Sequence, residues 1–278
     1  MHLLAMIVVI ISAVILRYQP ILTEGKWSQR WYRTLFLFCF PALLLLTTAV
    51  TVLYMGCHGR MLGIRVGSVG CSIAGGLILF AVGCLLKLAY QCNHFLNGLN
   101  RYPKQAIGDT TVRVLDLELP YSAQVGFWHS ESIVSRGLLS VLDAEHVRAV
   151  IAHEQAHAEY RDTFWFFWLG WIRSFSFWLP NTDKLWLELL LLRELRADRK
   201  AIESVDFLLL AESLLAVAKA PLESQTWCVS LNDGRIGDRL EERINFLLDP
   251  IEAVEKHHWH YWSWSGLFLP LLTIPLHY

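Results

Sequence analysis

The chain has 278 residues, of which 54% are hydrophobic and only 18% charged, with a formal net charge of −1. An ordinary soluble domain is about one-quarter charged, so this composition excludes a plain soluble protein. With no basic patch, it also excludes a nucleic-acid binder. The charge is unevenly spread: the first 100 residues hold seven Lys/Arg and one acid, whereas residues 101–256 hold 17 Lys/Arg and 24 Asp/Glu.

In chain order, three apolar segments come first: Leu3 to Leu16, Thr34 to Met55 and Val66 to Leu86. The second and third are uncharged and long enough to cross about 30 Å of hydrocarbon. The first has no basic n-region and no small-x-small cleavage site, and reads as an uncleaved anchor. Gly67, Gly70, Ala74, Gly75 and Gly76 in the third suit close helix contact in lipid. Arg17, Lys26, Arg30 and Arg33 follow the first segment, and only Arg60 and Arg65 follow the second. The positive-inside rule then puts the N-terminus outside and the chain beyond the third segment in the cytoplasm. The six cysteines lie mostly in apolar stretches and form no C-x-x-C pair. They read as small packing residues, with no disulfide framework.

From Arg101 the pattern changes. "TVRVLDLELP" alternates and predicts a strand, and "AQVGFWHSESIVSRGLL" predicts one or two more around a turn. "LDAEHVRAVIAHEQAHAEYRD" is helical, with Asp143 as N-cap. "TFWFFWLGWIRSFSFWLP" is apolar apart from Arg173, a costly residue in hydrocarbon. That favours an interfacial or re-entrant helix over residues 163–180, shielding the site, rather than a simple span. Three more helices follow: one capped by Asn181, Thr182 or Asp183, one stopped by Pro221 and one stopped by Pro250. The uncharged tail carries Trp259, Tyr261, Trp262 and Trp264, an aromatic belt for a fourth membrane helix or an interfacial segment. The domains are therefore read as 1–92 (three membrane helices), 93–256 (a cytoplasmic body) and 257–278 (the apolar tail).

Chemistry concentrates in "HEQAH". His153 and His157 are four apart and share a helix face, so both imidazoles can grip one ion. Glu154 beside them can activate a metal-bound water, which zinc makes acidic enough at neutral pH. This is the zinc-peptidase pattern. A catalytic zinc takes three protein ligands. The third-His arrangement needs Gly and His where Tyr160 and Thr163 stand, so it is excluded, and a later Glu must serve. "RELRAD" offers Glu194 as third ligand, with Asp198 one turn on to fix a ligand histidine's tautomer. Arg239 and Arg243 are candidate transition-state stabilisers, against the plainer reading of ion pairs with Glu241 or Glu242. Residues 124–128 or 133–135 are candidate edge strands for pairing with a peptide. His129, His146 and the "HHWH" tract read as surface histidines before they read as ligands.

"VLDAEHVRAVIAHEQAHAEYRD", "RELRADRKAI" and "LEERINFLL" together resemble the membrane-embedded gluzincin zinc metallopeptidases. The resemblance covers Val112 to Asp249. It is nearer to the beta-lactam-sensing antirepressor peptidases, because Asp162 follows the motif at a similar position and three anchors precede it. It is more distant from the CAAX-prenyl and heat-shock membrane proteases, whose "HP" is replaced by Gly237 and Asp238, although Glu242, Arg243 and Ile244 match. The sequence stops at Tyr278, so the expectation is of such a peptidase without the C-terminal penicillin-binding sensor domain.

The resemblance implies an α-helical integral membrane protein with an α+β zincin-like domain: a small antiparallel sheet plus helices carrying H-E-x-x-H and E-x-x-x-D. It implies one Zn2+ held by His153, His157 and Glu194, with Glu154 as general base and then proton donor. The substrate would be a protein or peptide, a repressor or a membrane protein among the candidates, cut at the cytoplasmic face of a bacterial plasma membrane. Two other classes compete: a signalling scaffold with a structural zinc, and a helical membrane protein with a chance motif. An intact Glu154 argues against the first, because a structural zinc needs no base.

Overall fold

The computed structural model describes residues 2–22, 25–58, 60–61, 64–65, 68–108, 110–218, 239–248 and 261–276. Cys228, Trp259, the tract 257–260, and the helix stops Pro221 and Pro250 lie outside them, as do the side chains of Tyr261 and Trp262. The chain divides into two units: residues 1–89, 169–189 and 253–278, and residues 90–168 and 190–252.

The first unit is built on α1 (His2–Arg17), α2 (Trp27–Met55) and α3 (Ser68–Leu99, of which it holds the part up to residue 89). Both α2 and α3 are long and apolar enough to cross a membrane, and α1 is shorter. Most of the apolar stretch of α2 is buried, whereas that of α3 is mostly exposed. The helices meet through small residues: Ala13, Ala49 and Ala74 are fully buried, alongside Met6, Leu45 and Val52. Of the described glycines named in the third segment, Gly70 is the most closely approached. A Cβ there would sit 2.7 Å from the His2 Cβ, whereas one at Gly76 would meet nothing. The turn between α2 and α3 corrects the reading of the cysteines, because Cys57 and Cys71 are joined by a disulfide with Cα atoms 5.7 Å apart. The helix ends bring together two residues fourteen apart that sequence spacing alone could not pair. Among the described residues Cys39, Cys84 and Cys92 are free.

Buried guanidiniums in this unit find hydrogen-bond acceptors, as burial demands. Arg17 donates to Thr182 Oγ1 (3.1 Å) and to the Phe38 carbonyl (2.8 Å). Arg30 donates through Nε (3.0 Å) and Nη2 (2.7 Å) to Glu188 Oε1. The aromatic run forms α6 (Asp162–Phe175), whose 14 residues span about 21 Å at 1.5 Å each, too short to cross. Arg173 donates to Asp183 Oδ1 (2.9 and 3.2 Å) and lies over the Trp186 ring. Trp171 Nε1 donates to the Ala81 carbonyl (2.7 Å). At the C-terminus Tyr261–Leu276 forms a 3₁₀ helix containing Pro270 and Pro275, and Trp264 packs edge-on to Phe36 of α2.

The second unit carries a four-stranded sheet. Its strands are β3 (Lys104–Ile107), β4 (Thr110–Leu115), β5 (Ser122–Val125) and β6 (Glu131–Ser135), β1 and β2 being the two-residue strands Arg60–Met61 and Ile64–Arg65. The order is β3-β4-β6-β5, and the sheet is mixed, not antiparallel: β4 and β6 run parallel, with Val112 opposite Ser132. The connection 116–121 carries the chain one strand beyond β4, and the hairpin return β6 fills the gap. Ser135 pins this crossover: its hydroxyl donates to the Leu119 carbonyl (2.6 Å) and accepts from the amides of Tyr121 (2.9 Å) and Leu138 (3.0 Å). The connection presses so closely on Gly137 that a Cβ there would lie 1.9 Å from the Glu118 carbonyl oxygen. β6 is paired on both sides, so residues 133–135 are not an edge, whereas β5 is one.

Behind the sheet lie α4 (Arg136–Val141) and α5 (Ala144–Glu159). Val112, Val114, Val134, Leu138, Val147, Val150 and Ile151 form the core between them. The other face of α5 packs on α8 (Phe207–Ala218) and α9 (Leu240–Leu248), through Ala149, Leu210 and Leu247. α7 (Thr182–Ala201) contributes its C-terminal half to this unit.

Candidate active site

α5 starts where Asp143 caps it, with Oδ1 accepting from the amides of Glu145 and His146 (both 3.0 Å). From that start the helical period turns His153, Glu154 and His157 inward, and all three are buried. The helix stops at Tyr160, and Arg161 takes a left-handed conformation (φ 53°), uncommon for a residue with a Cβ. That reversal starts α6 at once and swings Asp162 back to His157, whose Nδ1 lies 2.7 Å from Asp162 Oδ2. Asp162 is also bound by the Arg196 guanidinium, which stacks on the Tyr160 ring.

α7 supplies Glu194 and, one turn later, Asp198. The Nε2 atoms of His153 and His157 are 3.1 Å apart. Glu194 Oε2 is 3.2 Å from His153 Nε2, and Glu194 Oε1 is 3.6 Å from His157 Nε2. A tetrahedral zinc with bonds of 2.0–2.2 Å needs donor atoms about 3.3–3.6 Å apart, so these three groups could hold one ion once the 3.1 and 3.2 Å separations open by a fraction of an ångström. Both imidazoles turn Nε2 inward and Nδ1 outward to a carboxylate. For His153 that is Asp198 Oδ1, 2.8 Å away, close but without the alignment of a hydrogen bond. Asp198 is fully buried and gripped by both arms of Arg243, Nε and Nη2 each at 2.7 Å.

Arg243 therefore pairs with Asp198, and at 3.5 Å with Glu194. Arg239 is half-buried just ahead of α9, one turn from Arg243. Glu194 receives a second cation: Arg193 donates to Oε1 through Nε (3.0 Å) and Nη2 (2.6 Å) while lying over the Phe166 ring. His146 is not at the centre; its ring bridges Asp143 and Glu212 on the surface.

The electrostatics follow from these contacts. Burial works against charge on His153, but Asp198 and Glu194 outweigh it and push its pKa up to about 10. His157 is raised in the same way by Glu194 and Asp162, again against burial. Burial would raise Glu194 and Asp198, yet both are held below the usual carboxylate range, Glu194 mainly by Arg193 and His157 and Asp198 mainly by Arg243 and His153.

One contact has no counterpart in the sequence reading. The Ser122 hydroxyl, on edge strand β5, donates to Glu154 Oε1 at 2.7 Å. No spacing rule links residues 32 apart on a strand and a helix. Arg193 and Arg196 likewise look like a solvated charge run until α7 is folded against α5 and α6. Asp162 carries one signal, its place five residues after His157.

Two imidazoles and a carboxylate on one ion-sized triangle, with a glutamate next to the first imidazole, define a metallopeptidase centre. Residues 120–206 match the model of peptidase family M48, and this part of the chain is a zinc metallopeptidase domain. The match runs from just before β5 to just before α8 and contains Ser122, Glu154, Asp162 and the ligand candidates, but not Arg239 or Arg243. It supports the family and not the antirepressor subtype. No curated protein and no solved structure matches the chain.

Proposed function

We propose that the protein is a membrane-bound zinc endopeptidase that cuts protein substrates at the cytoplasmic face of the membrane. The observation that carries this reading is the triangle of His153, His157 and Glu194, whose ligand atoms all lie within 4.8 Å of one another, with Glu154 buried beside it. Zinc, when bound there, supplies an acidified water and polarises the scissile carbonyl. Glu154 takes a proton and returns it to the leaving amine. Asp198 and Asp162 hold the two histidines with Nε2 facing the ion. The edge of β5, unpaired among the described residues, runs past Glu154 at Ser122 and suits an extended peptide that adds as a strand.

Membrane attachment is supported by α2 and α3. Orientation is supported by two independent features: the basic residues before and within the start of α2, and the Cys57–Cys71 disulfide at its other end. Disulfides persist in oxidising compartments, which supports a turn outside and a catalytic unit inside. In the catalytic unit, Phe127, Trp128, Phe164 and Trp165 form one aromatic cluster, with Trp128 75% and Trp165 58% exposed. Tryptophans of this kind favour the headgroup region.

Purified protein is expected to bind one zinc per chain. Glu154→Gln should keep the zinc and abolish proteolysis, and crosslinking in cells with this variant should trap the substrate, which decides between a repressor and a membrane protein. Proteolysis that survives Glu154→Gln would overturn the reading.

A further inference from the structure

Glu154 has two oxygens, and the hydrolytic role needs one of them aimed at the water. The other, Oε1, accepts the Ser122 hydroxyl at 2.7 Å. Ser122 is itself held firmly. It opens β5 opposite Val134, a fully buried residue of β6. The preceding residue, Tyr121, exchanges two hydrogen bonds with Ser135, its amide donating to the Ser135 hydroxyl (2.9 Å) and its carbonyl accepting from the Ser135 amide (2.8 Å). A crossover pinned at Ser135 thus fixes the strand that fixes the base.

We infer that Ser122 is a positioning residue for Glu154: its hydroxyl ties down one carboxylate oxygen and leaves the other as the working oxygen. The inference rests on the peptidase reading above. It also means that the strand offered to the peptide and the group that orients the base are the same element, so a substrate that pairs with β5 sits in register with the aligned carboxylate. Ser122 does not touch the ion-binding triangle, so its loss should affect turnover and leave metal binding unaffected.

The test uses the full-length protein in detergent or nanodiscs, zinc-loaded, with fluorescein-labelled casein as the probe. Misplacing a catalytic group by a fraction of an ångström to 1 Å costs up to roughly a hundredfold, so Ser122→Ala should lower kcat by about tenfold. KM, zinc affinity measured by chelator competition, and melting temperature should stay near wild type. Ser122→Thr, which keeps the hydroxyl, should recover most of the rate. In a Glu154→Gln background, Ser122→Ala should cause no further loss. A merely structural serine would lower melting temperature and zinc affinity together with activity. The inference is overturned if Ser122→Ala keeps kcat within about twofold of wild type, or if Ser122→Thr is as slow as Ser122→Ala. Casein hydrolysis unaffected by Glu154→Gln would instead overturn the peptidase reading.

Discussion

Replacing Arg243 by methionine separates two roles that the sequence left open for it. Arg243 is buried, and its Nε and Nη2 each lie 2.7 Å from an oxygen of the fully buried Asp198. Methionine fills much of the same volume without the charge. The carboxylate of Asp198 would then keep only His153, 2.8 Å away. Breaking a buried ion pair from one side costs about 3–5 kcal/mol, and the surviving His153 contact puts the expectation near ~3 kcal/mol. Zinc affinity should fall roughly 10- to 100-fold, because Asp198 sets the His153 ring. Substituting Asp198→Asn as well removes the stranded charge, so the double variant should be more stable than the sum of the single losses, with a coupling of about 1–3 kcal/mol. Denaturant unfolding of the zinc-loaded protein gives the stabilities, and chelator competition gives the affinities. A variant with intact stability and zinc affinity but kcat reduced a hundredfold would refute this reasoning and make Arg243 a transition-state group.

Four further outcomes are expected. In the metal-free protein His153 titrates near 10 against about 6.5 when unfolded. Its contribution to stability is complete below about pH 6.5 and lost as the pH rises through about 10; urea unfolding of the chelated protein at pH 6, 8 and 10 reads this out. Zinc binding needs that nitrogen free, so zinc affinity should run the other way, weakening as the pH falls; competition titrations that show no pH dependence would contradict the assignment. Gly137→Ala drives a Cβ into the Glu118 carbonyl and should cost at least the upper end of the ~1–3 kcal/mol range for overpacking, seen as a lower urea midpoint. Finally, Trp128 and Trp165 should be quenched by bromine-labelled lipid in nanodiscs, and Trp128→Ser with Trp165→Ser should remove that part of the quenching without changing zinc content.

What was legible in the sequence was periodic or local. The 3.6-residue period of α5, its Asp143 cap, and the i, i+4 spacings of His153/His157 and Glu194/Asp198 follow from one helix at a time. The mixed sheet was not legible, because alternation predicts strands but not their order; the parallel β4–β6 pair depends on where a six-residue connection crosses. The partners of Arg193 and Arg196 were not legible either, because a charge run looks the same whether it faces water or two buried carboxylates. The Cys57–Cys71 bridge depends on how the ends of α2 and α3 meet, which their apolar composition leaves open.

A charge count explains why so many ionised groups can crowd into one buried centre. Glu154, Asp162, Glu194 and Asp198 bring four carboxylates. Arg193, Arg196 and Arg243 bring three guanidiniums, each paired with one of them. Among the described residues the fourth carboxylate, Glu154, is paired with the Ser122 hydroxyl. Burying charges costs several kcal/mol unless they are paired, and against that cost Asp198 and Glu194 push the pKa of His153, which sits between them, up to about 10. A divalent cation held by His153, His157 and Glu194 would displace the proton of His153 and add positive charge to the triangle. That positive charge would lie where a peptide carbonyl gains negative charge, which is the polarity that hydrolysis requires. Each histidine passes its outward nitrogen to an aspartate, and each aspartate is held by an arginine: His153–Asp198–Arg243 on one side, His157–Asp162–Arg196 on the other. These two chains account for four of the seven ionised groups. The remaining three, Arg193, Glu194 and Glu154, lie at the triangle itself, and there Ser122 supplies the neutral donor that a fourth cation would otherwise have to provide.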